Sequence, residues 1–229
     1  MFLFWEHPIG LLLMLVSAVL AGAAQLGVHR AYNKYAKVPT RGNRTGAEVA
    51  ADIVAGTDVR VTRSSHGHLS DHYDPRSNTI ALSNEVYDGT SVAALGIAAH
   101  EAGHALQHSS GYVPITLRNG ILPLARLGSM ASMPLIIAGI FFGVGFEWLI
   151  NLGIVFFITT LAFQLVTLPV EFNASSRAVR ILCADGYLQP DELAGAKAVL
   201  RAAAMTYVAA IAVAILQLIR LLLMANRRR

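Results

Sequence analysis

Four long apolar runs alternate with polar, punctuated stretches along this chain, and the alternation predicts its architecture. Residues 8–28 carry no charged side chain and are long enough to cross about 30 Å of hydrocarbon as a helix. The preceding residues hold Glu6 and no Lys or Arg. A cleaved secretory signal has a basic flank instead, so a retained first span is expected. In residues 29–127 charges return, and Gly, Pro, Asn and Asp interrupt the pattern. Thr45 and Glu48 have capping-box spacing and open a helix to about residue 55. Residues 59–62 alternate like a short strand. Asp74-Pro75-Arg76-Ser77-Asn78 is turn chemistry, after which Thr79–Leu82 reads as a returning strand. Thr90 or Ser91 caps a second helix over residues 92–108, stopped by Gly111 and Pro114.

Residues 128–145 and 148–170 are uncharged, with Glu147 between them. They predict two spans joined by a tight turn around 143–151, with Trp148 at the membrane boundary. Residues 171–201 read as polar and helical, broken at Asp185-Gly186 and Gln189-Pro190. Residues 202–219 form the fourth apolar stretch, followed by Arg220 and Arg227-Arg228-Arg229. The expected domains are 1–28 (N-terminal span), 29–127 (an α+β unit), 128–170 (a membrane hairpin), 171–201 (a polar helical segment) and 202–229 (an apolar helix with a basic tail).

Composition agrees. Of the 229 residues 55% are hydrophobic and 14% charged, too apolar for an ordinary soluble domain. The net charge of +4 comes from basic residues clustered beside apolar stretches rather than from one long patch, so no nucleic-acid partner is expected. Arg30, Lys34, Lys37, Arg41 and Arg44 follow the first span, which predicts residues 29–127 in the cytoplasm and the N-terminus outside. Residues 171–201 return to the same side with Arg177, Arg180, Lys197 and Arg201. A fourth full span then puts the terminal arginines outside, against the same rule. The expected location is a bacterial inner membrane, crossed several times. Cys183 is the single cysteine, so an intrachain disulfide and a thiolate-only zinc site are both excluded.

The chemistry centres on His100-Glu101-Ala102-Gly103-His104, an H-E-x-x-H pattern. Histidines four apart share one helix face, so both imidazoles can reach one ion at about 2.0–2.1 Å. Glu101 can then reach a water on the metal rather than the metal itself. Gly inside a helix is unfavourable relative to Ala, and Gly103 therefore signals a close approach, with room beside the metal. A catalytic zinc takes three protein ligands and keeps one position open. The candidates for the third are His66, His68, His72, Asp71, Asp74, His108 and Glu171. Glu171 stands out because it directly follows an apolar span, behind Leu168-Pro169-Val170. A carboxylate at a membrane border is costly unless paired or metal-bound, and Pro169 can bend the helix that carries it.

Three blocks carry a family resemblance: Gly67-His68-Leu69-Ser70-Asp71-His72-Tyr73-Asp74-Pro75-Arg76, the stretch from His100 to His108, and Leu165-Val166-Thr167-Leu168-Pro169-Val170-Glu171-Phe172-Asn173-Ala174-Ser175. In this order they resemble the YugP-type membrane zinc metallopeptidases of bacteria, and the resemblance extends over nearly the whole chain. It implies a neutral zinc peptidase with no stated substrate. A more distant similarity is to the HtpX-type and CAAX prenyl proteases. There the third ligand is the glutamate of an E-x-x-x-D motif that follows a membrane hairpin, and Glu171 matches it. Ser175 stands where that motif has Asp, so Asn173 or Ser175 is expected to supply a neutral hydrogen bond in its place. Site-2-type intramembrane proteases fit less well, because the apolar run before His100 is too short to span and residues 151–170 contain no Asp.

The expected fold is thus a mainly α membrane protein of about four transmembrane helices, with a small zincin-like α+β cytoplasmic unit. The expected function is hydrolysis of a membrane-associated polypeptide with one Zn²⁺ per chain, held by His100, His104 and Glu171. Glu101 acts as general base and then as donor to the leaving amine. His72, Tyr73 and Arg177 are candidate oxyanion donors. The strand Thr79–Leu82, if at a sheet edge, could pair with an extended substrate. A non-catalytic membrane adaptor with a structural zinc is the alternative, and a fourth side-chain ligand such as His72 or His108 would mark it. A transporter would place ionisable groups inside its spans, which are nearly free of them. Asn151, Gln164 and Gln217 could join helices or protomers, so a homo-oligomer is compatible.

Overall fold

The computed structural model describes residues 8–65, 67 and 70–226. Expectations touching His66, His68, the N-terminal flank and Arg227–Arg229 lie outside the described residues. The elements in chain order are α1 (Pro8–Tyr35), α2 (Gly46–Ile53), β1 (Arg60–Arg63), β2 (His72–Asp74), β3 (Thr79–Leu82), α3 (Asn84–Tyr87), α4 (Val92–Ser109), α5 (Val113–Phe142), α6 (Glu147–Ala184) and α7 (Pro190–Asn226). Four of them, α1, α5, α6 and α7, are long and apolar enough to cross a membrane. The chain divides into two compact units, one of Met1–Gln25, Leu117–Leu168 and Thr206–Arg229, the other of Leu26–Thr116 and Pro169–Met205.

In the first unit, small residues let α5 and α6 touch. A Cβ on Gly153 would stand 2.8 Å from the Ser132 carbonyl oxygen, and the Ser132 hydroxyl donates to the Gly153 carbonyl at 2.8 Å. Such contacts replace the hydrophobic drive that lipid does not supply. Ile136, Ile150, Ile154 and Leu221 form the buried cluster here. Large apolar side chains such as Leu12, Val19, Met130, Phe141 and Leu222 stay exposed, the surface expected of helices in a bilayer.

The second unit is the α+β part. Thr45 caps α2 through the full box, its side chain accepting from Glu48 N while Glu48 Oε2 accepts from Thr45 N. Ser91, not Thr90, caps α4 by accepting from Ala94 N. The sheet order is β1-β3-β2, parallel between β1 and β3 and antiparallel between β2 and β3. Asn78 at φ 51° closes the β2–β3 turn, a left-handed position that Asn tolerates. This corrects one expectation. Thr79–Leu82 is the middle strand and offers no edge to a substrate. Its outer partner β2, His72-Tyr73-Asp74, is three residues long, too short to show an alternation.

α4 lies between two cores, which explains its run of small side chains. Val92, Leu95 and Ala99 pack with Val49, Ala178 and Leu182. Ala94, Ala98, Ala102 and Ala105 pack toward Ile80, Leu82 and Val86. The spacing of those alanines, four, four and three, keeps them on one helix face.

The expected breaks at Asp185-Gly186 and before Pro190 are where α6 ends and α7 begins. Gly186 has φ 72°, which glycine adopts without a Cβ penalty. All four long helices run further than their apolar stretches, α1 on to Tyr35 and α7 back to Pro190 among them. α5 starts at Val113, where Pro114 opens a helix rather than only ending one, since Pro fits the first turn. α6 continues through Pro169 to Ala184, since the charged residues that end its apolar run do not end the helix.

Candidate metal site

Two helices build the site. α4 places His100 and His104 one turn apart, with ring centroids 4.7 Å apart and planes at 84°. α6 brings Glu171, whose Oε2 lies 3.3 Å from His100 Nε2 and 3.5 Å from His104 Nε2. All three offered ligand atoms fall within 4.8 Å of one another. An ion holding tetrahedral ligands at about 2.0–2.1 Å keeps their atoms about 3.3 Å apart. Both Glu171 distances match that separation, and the donor set of two imidazoles and a carboxylate suits zinc, so the residues present fit the metal.

The approach of α4 to α6 depends on Gly103. A Cβ there would stand 2.8 Å from the Ala174 carbonyl oxygen and 3.3 Å from its Cα. Gly103 thus makes room for the backbone of α6 rather than for the metal. Gly103→Ala is expected to force the helices apart and destabilise the fold by about 1–3 kcal/mol. Thermal unfolding of the purified protein checks this.

Each imidazole is held from behind. The Arg177 Nε–H donates to Asn173 Oδ1 at 2.9 Å, and Gln107 Nε2 donates to the same oxygen at 3.0 Å and to the Val170 carbonyl at 2.8 Å. An arginine can only donate, so the amides of Asn173 and Gln107 are both oriented. Gln107 Oε1 is left to accept from His104 Nδ1 at 3.0 Å. A proton therefore sits on Nδ1, which leaves Nε2 as the ring atom that faces Glu171 and the site. His100 Nδ1 lies 3.2 Å from Ser175 Oγ, a hydroxyl able to accept in the same way. Neutral groups thus hold both imidazoles from behind.

Burial lowers the His104 pKa, but the hydrogen bond to Glu171 and the charges of Glu101 and Glu171 outweigh it, and the net direction is upward. With no cation between them, Glu171 favours a proton on this ring. A metal ion would compete for the same place.

Gln107 was not singled out by the sequence. It is fully buried and follows His104 by three positions, which puts both on one helix face; that spacing was the available signal. Gln107→Leu and Ser175→Ala are each expected to weaken zinc binding about 10- to 100-fold. Gln107→Glu keeps an acceptor toward His104 but turns a second oxygen toward the Val170 carbonyl and Asn173 Oδ1, both acceptors, so it should lose at least as much. Competition against a chromophoric chelator measures all three.

Glu101 is buried at 9% exposure, next to His100 and outside the ligand trio. Asp71 lies within its electrostatic reach: burial first, then the Glu101 charge, raises the Asp71 pKa against hydrogen bonds from Ser83. Asp71 accepts from Ser83 N at 2.8 Å, and Asp74 accepts from Arg76 N at 3.0 Å within its turn. His108 stacks at a tilt with Tyr73, centroids 5.9 Å apart. The Tyr73 hydroxyl donates to Asn78 Oδ1 at 2.7 Å. His72 is exposed, and its Nδ1 lies 2.8 Å from the Ser70 carbonyl. Among the described residues, the structure gathers His100, His104 and Glu171 as a possible metal-holding group, and none of the other candidate ligands joins it.

A helical bundle segment joined to a small α+β unit, with two histidines and a glutamate at ligand spacing, has the form of a membrane-associated metalloprotein. The comparison with known proteins is more specific. A family described as "Putative neutral zinc metallopeptidase" matches residues 10–226. The Bacillus subtilis (strain 168) protein "Putative membrane protease YugP" is 44% identical over 200 residues, covering 86% of this chain and 88% of the relative. No solved structure matches the chain. This chain belongs to that zinc metallopeptidase family.

Proposed function

We propose that this protein is a membrane-embedded zinc endopeptidase, holding one zinc ion per chain through His100, His104 and Glu171. The observation that carries the reading is the trio itself: three ligand atoms within 4.8 Å, two of them imidazoles whose outer nitrogens are already engaged. The chemistry zinc supplies at such a site is polarisation of a water molecule and of the scissile carbonyl. Glu101, one residue along from the first ligand, accepts the water's proton and delivers it to the leaving amine nitrogen. Gln107 and Ser175 hold the imidazoles in orientation. Arg177, tied through Nε to Asn173, is the preferred oxyanion donor, because the Tyr73 hydroxyl is committed to Asn78 and His72 lies on the surface. An extended substrate finds a free edge only at an outer strand, and β2, whose Tyr73 ring meets His108 of α4, is the one that fits.

The basic residues that follow the first apolar run support a cytoplasmic orientation of the catalytic unit. The adaptor alternative needs a fourth protein ligand. Among the described residues neither His72 nor His108 joins the trio, which favours an open position for water.

Metal removal tests the reading. Full-length protein in phospholipid nanodiscs should cleave quenched-fluorescent peptides, lose that activity on dialysis against a zinc chelator, and recover it with one equivalent of zinc. Cleavage that survives complete metal removal would rule out the mechanism.

A further inference from the structure

The first unit contains a feature that the hydrolytic site does not use. A crevice of about 520 Å³ lies between α1, α6 and α7, a size that suits a specific ligand. Its wall is apolar except for Ser17, Gln25, Gln164, Thr206 and Gln217. The Ser17 hydroxyl donates to the Leu13 carbonyl at 2.8 Å, and Gln217 Oε1 accepts from Arg220 at 3.3 Å, so the unmet demand falls on Gln164.

Two further observations bear on its occupant. Gln164 Oε1 is buried and has no hydrogen-bond partner. An unsatisfied amide oxygen in apolar surroundings is unfavourable, and an N–H or O–H donor in the crevice would relieve it. The terminal torsion of a Gln side chain is soft, so that oxygen can turn to meet such a donor. In addition, α1, which forms one wall, buries none of its residues. That wall is not sealed by packing.

A lipid chain has an apolar body but no donor to offer Gln164 Oε1. A small polar solute has donors but no apolar body to match the wall. A polypeptide segment of the kind that crosses a membrane has both, since its side chains are apolar and its Ser hydroxyls and locally loosened backbone N–H groups donate. We propose that the crevice receives an apolar polypeptide segment, the membrane anchor of a substrate, with its donors turned toward Gln164. The assignment of that segment to a substrate rests on the peptidase reading above; the binding itself does not.

The test uses zinc-loaded, full-length protein in phospholipid nanodiscs. The probe is a fluorescent, Lys-flanked Leu/Ala peptide of about 22 residues, long enough to span, with a central Ser-Gly pair. A sister peptide lacks that pair. Binding is read by energy transfer to labelled protein. Filling the crevice from either wall, with Ala209→Phe or Ala24→Phe, should weaken binding of the Ser-Gly peptide at least about tenfold. Gln164→Leu should weaken it several-fold more than it weakens binding of the sister peptide. Zinc content and cleavage of a short soluble peptide should stay unchanged in all three variants. Unchanged affinity in both Phe variants would overturn the proposal. So would equal losses for the two peptides in Gln164→Leu, or displacement of the probe by a free fatty acid, which would make the crevice a lipid site. Intact probe binding by a wild-type protein that cleaves no soluble peptide would count against the peptidase reading while leaving the crevice assignment standing.

Discussion

Glu101→Gln is expected to lower peptide hydrolysis by about 10²- to 10⁴-fold, the usual contribution of a positioned general base, while zinc content stays near that of the wild type. The amide is nearly isosteric with the acid, so packing of the buried side chain changes little, and Glu101 lies outside the ligand trio. What disappears is the ability to take a proton from water and return it to the leaving nitrogen. The measurement is kcat/KM on a quenched-fluorescent peptide beside metal analysis of the same preparation. Parallel loss of zinc and activity would mean that Glu101 holds the site together rather than moving protons. Full activity would remove it from the mechanism.

The second large effect belongs to Glu171. Glu171→Ala deletes the only carboxylate of the trio, the one that pairs with both His100 and His104. Zinc affinity is expected to fall on the order of a thousandfold, about 4 kcal/mol, and activity should fall with it. The contrast between the two variants is the informative part, since one should keep metal and lose chemistry and the other should lose the metal itself. The His104→Ala protein should behave like Glu171→Ala. Chelator competition resolves both from Glu101→Gln.

Much of this arrangement was legible in the residues because the signals were local. Thr45 with Glu48 forms the capping box that its spacing predicted, and the helix carrying His100 and His104 begins after Ser91 and ends at Ser109. The uncharged stretches correspond to helices, since hydropathy over a span is a strong cue. The pairing of Glu171 with the two histidines is long-range. It was legible because an acid at the end of an apolar run is expensive and so calls for a partner, and because the E-x-x-x-D resemblance marks the same residue.

What escaped the sequence depended on tertiary context. β2 is too short for a periodic signal, and its presence turns Thr79–Leu82 from a possible edge into the centre of the sheet. Gln107 looks like any polar residue near a helix end. Its importance emerges only when Val170 and Asn173 of another helix are seen to accept from its amide. Gly103 was recognised as a sign of close approach. That the approaching group is the Ala174 backbone, rather than a ligand sphere, follows from how two helices pack. The lengths of α5 and α6 were underestimated because charged residues end an apolar pattern without ending a helix.

The central claim is one coordination sphere, and zinc K-edge X-ray absorption of the full-length protein tests it most directly. The expected spectrum has two imidazole nitrogens at about 2.0–2.1 Å, one carboxylate oxygen at a similar distance and one water-derived oxygen. In Glu171→Ala protein loaded with excess zinc, the carboxylate contribution should vanish. A wild-type spectrum with a third imidazole, or one that Glu171→Ala leaves unchanged, would contradict the account.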